Sequence, residues 1–109
     1  MGTLYYGDAR YAIILDDRTL AHLKIIVLTK LRRNESFAYS WQRKSTDGSG
    51  HGTVWFHSAL SLHFEFLGSK DPDINLTWLE EMSASANRAL GLVIPPEPPP
   101  RDPDELWPH

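Results

Sequence analysis

Residues Arg18–Arg33 read RTLAHLKIIVLTKLRR, and whether they form a helix or a strand decides the class of the fold. The stretch is long, contains neither Gly nor Pro, follows two aspartates suited to N-capping, Asp16 and Asp17, and ends in cations where the helix dipole favours them. A helix is therefore expected over Arg18–Arg33, closed by Asn34 and Glu35. At about 100° per residue, Leu20, Leu23, Val27, Leu28 and Leu31 form the arc expected to face a core. Arg18, His22, Thr29, Arg32 and Arg33 gather on the opposite side. Ile25 falls among these polar residues and Ile26 at their edge. The helix is thus expected either to be covered on two faces or to offer Ile25 and Ile26 to a partner.

The flanking segments read as strands. TLYYG and YAIILDD, separated by Gly7-Asp8-Ala9-Arg10, predict an N-terminal β-hairpin. After the helix, SFAYSWQRK sets Phe37, Tyr39 and Trp41 on one face, TVWFH alternates Val54 and Phe56 with Trp55 and His57, and LSLHFEF alternates Leu60, Leu62, Phe64 and Phe66 with Ser61, His63 and Glu65. These runs predict a three-stranded antiparallel meander, joined by the loop STDGSGHG and by a tighter turn near Ser58-Ala59.

Gly68 to Pro72 breaks the last strand. A second helix is expected from Asn75, or from Thr77 with Glu80 as a capping box, to Leu90, with Leu79, Met82, Ala86 and Leu90 along one stripe and Gly91 after its end. The residues LVI after it suit a short final strand. Seven of the eight prolines lie beyond Ile94. The expected fold is thus a single α+β domain over residues 1–94: N-terminal β-hairpin, long helix, three-stranded antiparallel meander and second helix. A proline-rich acidic C-terminal tail follows over 95–109, extended or disordered, in which Leu106 and Trp107 are candidate anchors.

The chain has 109 residues, 41% hydrophobic and 11% aromatic, enough for one small core and too few for a two-domain enzyme. The absence of cysteine excludes disulfides, thiolate metal sites and a cysteine nucleophile. The start MGTLYYGDAR has no signal-peptide pattern, and no apolar run approaches the roughly 20 residues of a membrane span. A cytoplasmic protein without a membrane partner is expected. The net charge of −3 conceals a polarised chain, with seven basic residues against Glu35 alone from Arg18 to Lys44, and five acids against Lys70 from Glu65 to Glu81. Either an anionic partner or pairing across the fold accounts for this.

No constellation selects an active site. Gly48 to Gly52 is glycine-rich but opens a strand, so the helix N-terminus that cradles phosphate is missing. Histidines 51, 57 and 63 lack supporting ligands, and no G-x-S-x-G elbow marks a serine nucleophile. No catalytic residue, metal site or cofactor is expected. Two binding readings remain. Arg18, His22, Arg32, Arg33, Arg43 and Lys44 form a candidate nucleic-acid surface, with Trp41 and Trp55 as stacking residues, against an isoelectric point of about 5.9. Ile25, Ile26, an edge strand or Trp107 form a candidate surface for another protein or a second copy of the chain.

The phrases DDRTLAHLKIIVLTKLRRNESFAYSW, TVWFH, LHFEFLGS, INLTWLE and SANRALGLVIPPEP, in this order over about residues 1–98, resemble a family of small actinobacterial and phage proteins of uncharacterised function. Its members often carry the label ATP-dependent DNA ligase. The resemblance implies at most an association with a nucleic-acid pathway and supplies no catalytic residue. Ligase chemistry uses K-x-D-G-x-R, whose lysine attacks the α-phosphorus of ATP. Here two residues separate Lys44 from Asp47 and no arginine follows at Ser49-Gly50, so RKSTDGSGHG reads as a hairpin loop and a non-catalytic role is expected.

Overall fold

A computed structural model describes residues 1–43 and 50–99, with the backbone of Leu106 and Trp107; side chains are described over 1–41 and 51–99. The order of elements is β1 (Gly2–Tyr6), β2 (Tyr11–Leu15), α1 (Asp17–Arg32), β3 (Phe37–Arg43), β4 (Gly50–Phe56), β5 (Leu62–Glu65), β6 (Ile74–Asn75), α2 (Leu76–Ala86), β7 (Leu92–Val93) and β8 (Leu106–Trp107). The chain is α+β, with the long helix between the N-terminal hairpin and the later strands, as expected.

Helix α1 begins where Asp16 caps it: Oδ1 accepts the Thr19 amide at 2.7 Å and Oδ2 accepts the Thr19 hydroxyl at 2.9 Å. It ends at Asn34, whose φ of 58° is the left-handed closure that asparagine tolerates. Helix α2 starts at the Asn75 cap, as expected, but stops at Ala86. The turns after it leave Leu90 exposed, and the chain re-enters the core through Gly91 at φ +82°.

The strands do not form a continuous meander. β1 lies between β2 and β5, while β3 lies between β4 and β7, so there are two three-stranded sheets. The first sheet is antiparallel throughout, with Leu4 opposite both Ile13 and Phe64, and Tyr6 opposite both Tyr11 and Leu62. In the second, β7 runs parallel to β3, pairing Tyr39 with Leu92. β5 therefore leaves the hairpin before it and completes the N-terminal sheet. A period of two specifies which face of a strand is buried, and says nothing about which neighbour supplies its hydrogen bonds. The turn in which Leu60 donates to the His57 carbonyl redirects the chain, and the Gly7 amide donates to Ser61 at 2.9 Å to extend the new ladder.

One core unites the layers: Leu4 and Ile13 from the first sheet, Leu20, Leu23, Ile26 and Val27 from α1, Phe37, Tyr39, Phe56 and Leu92 from the second sheet, and Trp78, Met82 and Ala86 from α2. The wheel placed most of the α1 stripe correctly, but Leu28 is 46% exposed while Ile26 is buried at 5%. The correction follows from α2, which packs beside α1 and shifts the covered arc toward Ile26 and Lys30. Burial pushes the Tyr39 phenol up to about 12. Among the described residues no helix is long and apolar enough to cross a membrane.

Candidate functional site

At one end of the molecule the inner faces of the two sheets separate. Strand register places Tyr6 and Tyr11 on the inner face of the first sheet beside its turn, and Trp41, Gly52 and Val54 on the inner face of the β3–β4 ribbon. The gap between them is a cleft of about 690 Å³ lined by these side chains, the Gly7–Ala9 turn, His51 and Thr53. Its walls continue the aromatic column of the core: Phe37 contacts Phe56 at 5.2 Å, Phe56 stacks on Tyr39 at 6.4 Å, Tyr39 meets Trp41 at 5.8 Å and Trp41 meets Tyr11 at 6.3 Å. Tyr6 braces the opening, its ring edge on Phe56 at 5.7 Å and its hydroxyl donating to the Trp55 carbonyl at 2.5 Å.

Gly52 is part of the design of this wall. It lies opposite Trp41 in the ladder, and a Cβ there would come within 2.5 Å of the indole ring. The missing side chain lets the indole lie flat across the strand and turn its other face to the cleft. Among the described residues, Asp8 is the only carboxylate in the lining and no Lys or Arg side chain lines it. The opening is thus aromatic, shallowly polar and without a described fixed cation.

Of the residues expected to form a basic face, Arg18 and His22 are drawn into contacts within the fold. Arg18 is clamped: Nε and Nη2 donate to the two Glu97 carboxylate oxygens at 2.6 and 2.5 Å, and Nη1 donates to the Asp73 carbonyl at 2.8 Å. This bond raises the Arg18 pKa and lowers that of Glu97. His22 is fully buried, stacked at 4.5 Å against Trp78. Because the Asn75 amide can only donate, the His22 Nε2 that accepts it at 2.9 Å is unprotonated, and Nδ1–H donates to the Arg18 carbonyl at 2.7 Å. Burial holds the His22 pKa below its ordinary value. Lys30, a further cation of α1, is also sequestered, donating to Asn87 at 2.5 Å and to Glu35 at 3.3 Å. Arg32 and Arg33 are exposed.

Other expected site residues separate similarly. Trp41 and Trp55 lie on opposite faces of one ribbon, so they form no single stacking platform. Ile26 belongs to the core and is not available to a partner, whereas Ile25 is half-buried at a smaller cleft of about 340 Å³ between α1 and α2. Lys44, the 44–49 loop and the side chains of Arg43 and Trp107 lie outside the described residues. Among the described residues no group of three or more His, Asp or Glu side chains is placed to hold a metal ion.

The cleft itself escaped the sequence reading, although Gly52 in a strand, two positions before the TVWFH alternation resumes its inward face, is the kind of signal that marks close approach of another group. Comparison with known proteins bears on the domain as a whole. No curated protein and no solved structure matches the chain. Residues 1–97 match the model of a domain of unknown function, DUF7882, and the chain belongs to that family.

Proposed function

We propose that this domain is a non-catalytic binding module of the cytoplasm whose recognition surface is the aromatic cleft between the two hairpin ends, and that its partner is a protein. One observation carries the reading: the core's aromatic column ends at Trp41 and Tyr11 in an open cleft of about 690 Å³, roofed by nothing from the chain itself among the described residues. Exposed aromatic side chains such as Tyr11 are enriched at protein interfaces relative to the rest of a surface. Asp8 in the lining, with no Lys or Arg side chain beside it there among the described residues, weighs against a polyanion at this place.

Panning a random peptide library on the immobilised domain tests this. Peptides enriched on the wild type and lost on both Trp41→Ala and Tyr11→Ala are expected, and enrichment indifferent to both substitutions removes the cleft from the account.

The nucleic-acid reading runs second and rests on Arg32 and Arg33, exposed together at the end of α1. It requires single-stranded or duplex DNA or RNA binding that weakens steeply with salt and is lost on Arg32→Glu with Arg33→Glu. Self-association through Ile25 requires a salt-insensitive dimer lost on Ile25→Asp. Adenylyl transfer, which the ligase label of the resembling actinobacterial and phage proteins implies, ranks last, because Lys44 lacks the K-x-D-G-x-R context. Absence of a Lys44-dependent AMP adduct after incubation with labelled ATP and a divalent metal disposes of it.

A further inference from the structure

The segment Ile94–Pro98 crosses the start of α1, β6 and the first turn of α2, and it is held there by a complete set of polar contacts. Trp78 Nε1–H donates to the Pro95 carbonyl at 2.9 Å. Asn75 Nδ2 donates both to the Pro98 carbonyl at 2.8 Å and to Glu97 Oε2 at 3.0 Å. Arg18 takes the Glu97 carboxylate in its bidentate fork. An indole N–H on a proline carbonyl, an amide on a second proline carbonyl and a cation for one acidic side chain is the donor set by which grooves read proline-rich segments, which supply carbonyls and no amides.

These donors are fixed independently of the segment they hold. Asn75 is fully buried and its Oδ1 caps α2 by accepting the Trp78 amide at 3.2 Å, while its own amide is anchored on His22. Trp78 is packed on His22 at 4.5 Å. Arg18 is aimed by the Asp73 carbonyl. The strap, by contrast, does not fill its groove: a space of about 510 Å³ remains between Asp16, Thr19, Trp78 and the strap, and the Arg18 and Glu97 side chains are 35% and 30% exposed. The family-matched span ends at Glu97, so it takes in the Pro95 and Glu97 contacts of the lock and stops one residue before Pro98.

We propose that this groove is a recognition site for a proline-rich segment carrying a glutamate, occupied by the chain's own Ile94–Pro98 as a tethered ligand, and that a partner segment of the same Pro-Pro-Glu-Pro chemistry displaces it. Besides the packing of Ile94 on the core, the polar contacts described for the strap are ones that such a segment makes through two carbonyls and one carboxylate, so this polar recognition does not depend on the tether. The tether only raises the local concentration, about millimolar for a short linker, and thereby closes the site to weak competitors.

The test uses the full chain, isotopically labelled, and an unlabelled peptide with the sequence of Ile94–Pro99. The Trp78 indole N–H and Arg18 Nε–H resonances are followed in the wild type and in Glu97→Gln, which loosens the chain's own strap. In Glu97→Gln the peptide is expected to move both resonances saturably. A peptide with Gln in place of its Glu is expected to bind at least about tenfold more weakly. The wild type is expected to need more peptide for the same shift. The proposal is overturned if Trp78 stays unmoved at millimolar peptide in a folded Glu97→Gln chain, or if the Glu and Gln peptides bind alike. Should Glu97→Gln fail to fold, Pro96→Gly loosens the strap without removing any of these polar contacts and is judged by the same two criteria. A dimer that the peptide dissolves identifies the displacing segment as the strap of a second copy and supports the site.

Discussion

The Asn75 backbone amide holds His22 in one protonation state: it donates to His22 Nε2 at 2.9 Å in a fully buried setting. A proton on Nε2 would set donor against donor and place a charge among Trp78, Arg18 and the core, with Glu97 and Asp16 as the facing anions.

Stability is therefore expected to fall on mild acidification. The His22 pKa is lowered in the fold, so the unfolded chain binds the extra proton and stability rises with pH through this window. The contribution is complete above the unfolded value of about 6.5, and it is lost as pH falls from there toward the folded value. Urea midpoints at pH 7.5 and 5.5 measure it, and His22→Gln is expected to remove most of the difference. A variant with the wild-type slope would refute the assignment. Glu97, with its pKa lowered chiefly by Arg18, adds a second loss in the same direction at pH below its ordinary carboxylate range.

Asn75→Ala removes a helix cap and two bonds to the strap at once. A cap contributes about 1 kcal/mol and each further hydrogen bond about 1 kcal/mol, so a loss of about 2–3 kcal/mol in chemical denaturation is expected. Asn75→Asp separates the two roles. It keeps the cap but turns an oxygen toward Glu97 and the Pro98 carbonyl, so the Trp78 indole resonance should shift while the α2 amides stay protected from exchange.

Gly91 tolerates no side chain. Its φ is +82°, and a Cβ would stand 2.5 Å from the Ala38 carbonyl oxygen, where β3 backbone and not a movable side chain is the obstacle. Left-handed backbone alone costs roughly 1–2 kcal/mol. Gly91→Ala is expected to lose more than that, about 3 kcal/mol or above, by driving β7 off β3. Thermal unfolding checks the loss.

Gly52→Ala is expected to behave differently, because the obstacle is the Trp41 indole, which can rotate. Its stability cost should be below that of Gly91→Ala, while Trp41 is displaced into the cleft and Trp41-dependent peptide enrichment is abolished. Retained enrichment with an unchanged Trp41 environment would place recognition elsewhere.

Arg32→Ala with Arg33→Ala should cost no more than about 1 kcal/mol, the helix-dipole contribution of two exposed cations at the end of α1. Arg18→Glu should be markedly destabilising, since it sets a carboxylate against Glu97. Paired denaturation curves distinguish a solvated charge from a clamped one, two roles that the helical wheel assigned to the same face.

The contrast shows what was legible. The α1 helix, the aspartate cap before it, the Asn75 start of α2, the N-terminal hairpin and the inward faces of β3 to β5 follow from local propensity and periodicity, which a chain carries in any context. The pairing of β5 with β1 does not, because alternation is indifferent to the identity of the neighbour. His22 looked polar on the wheel yet is buried, since a ring with both nitrogens satisfied packs as an apolar group does. Ile26 and Leu28 exchanged roles because α2 arrives from one side only. The aromatic cleft requires the ends of two sheets to diverge, and no single segment encodes that. The polarised charge was legible as a pattern, and Arg18 with Glu97 resolves part of it as pairing across the fold.

The placement of β1 between β2 and β5 has a consequence for how the chain is made. On a ribosome, the first hairpin and α1 emerge well before residues 62–65, so for that interval β1 carries one unpaired edge. Long-range pairing of this kind slows folding relative to local hairpins and leaves a strand edge open to other chains. Fragments that end before Leu62 should accordingly aggregate or recruit chaperones, and folding should become cooperative only once Leu62–Glu65 is available to close the sheet.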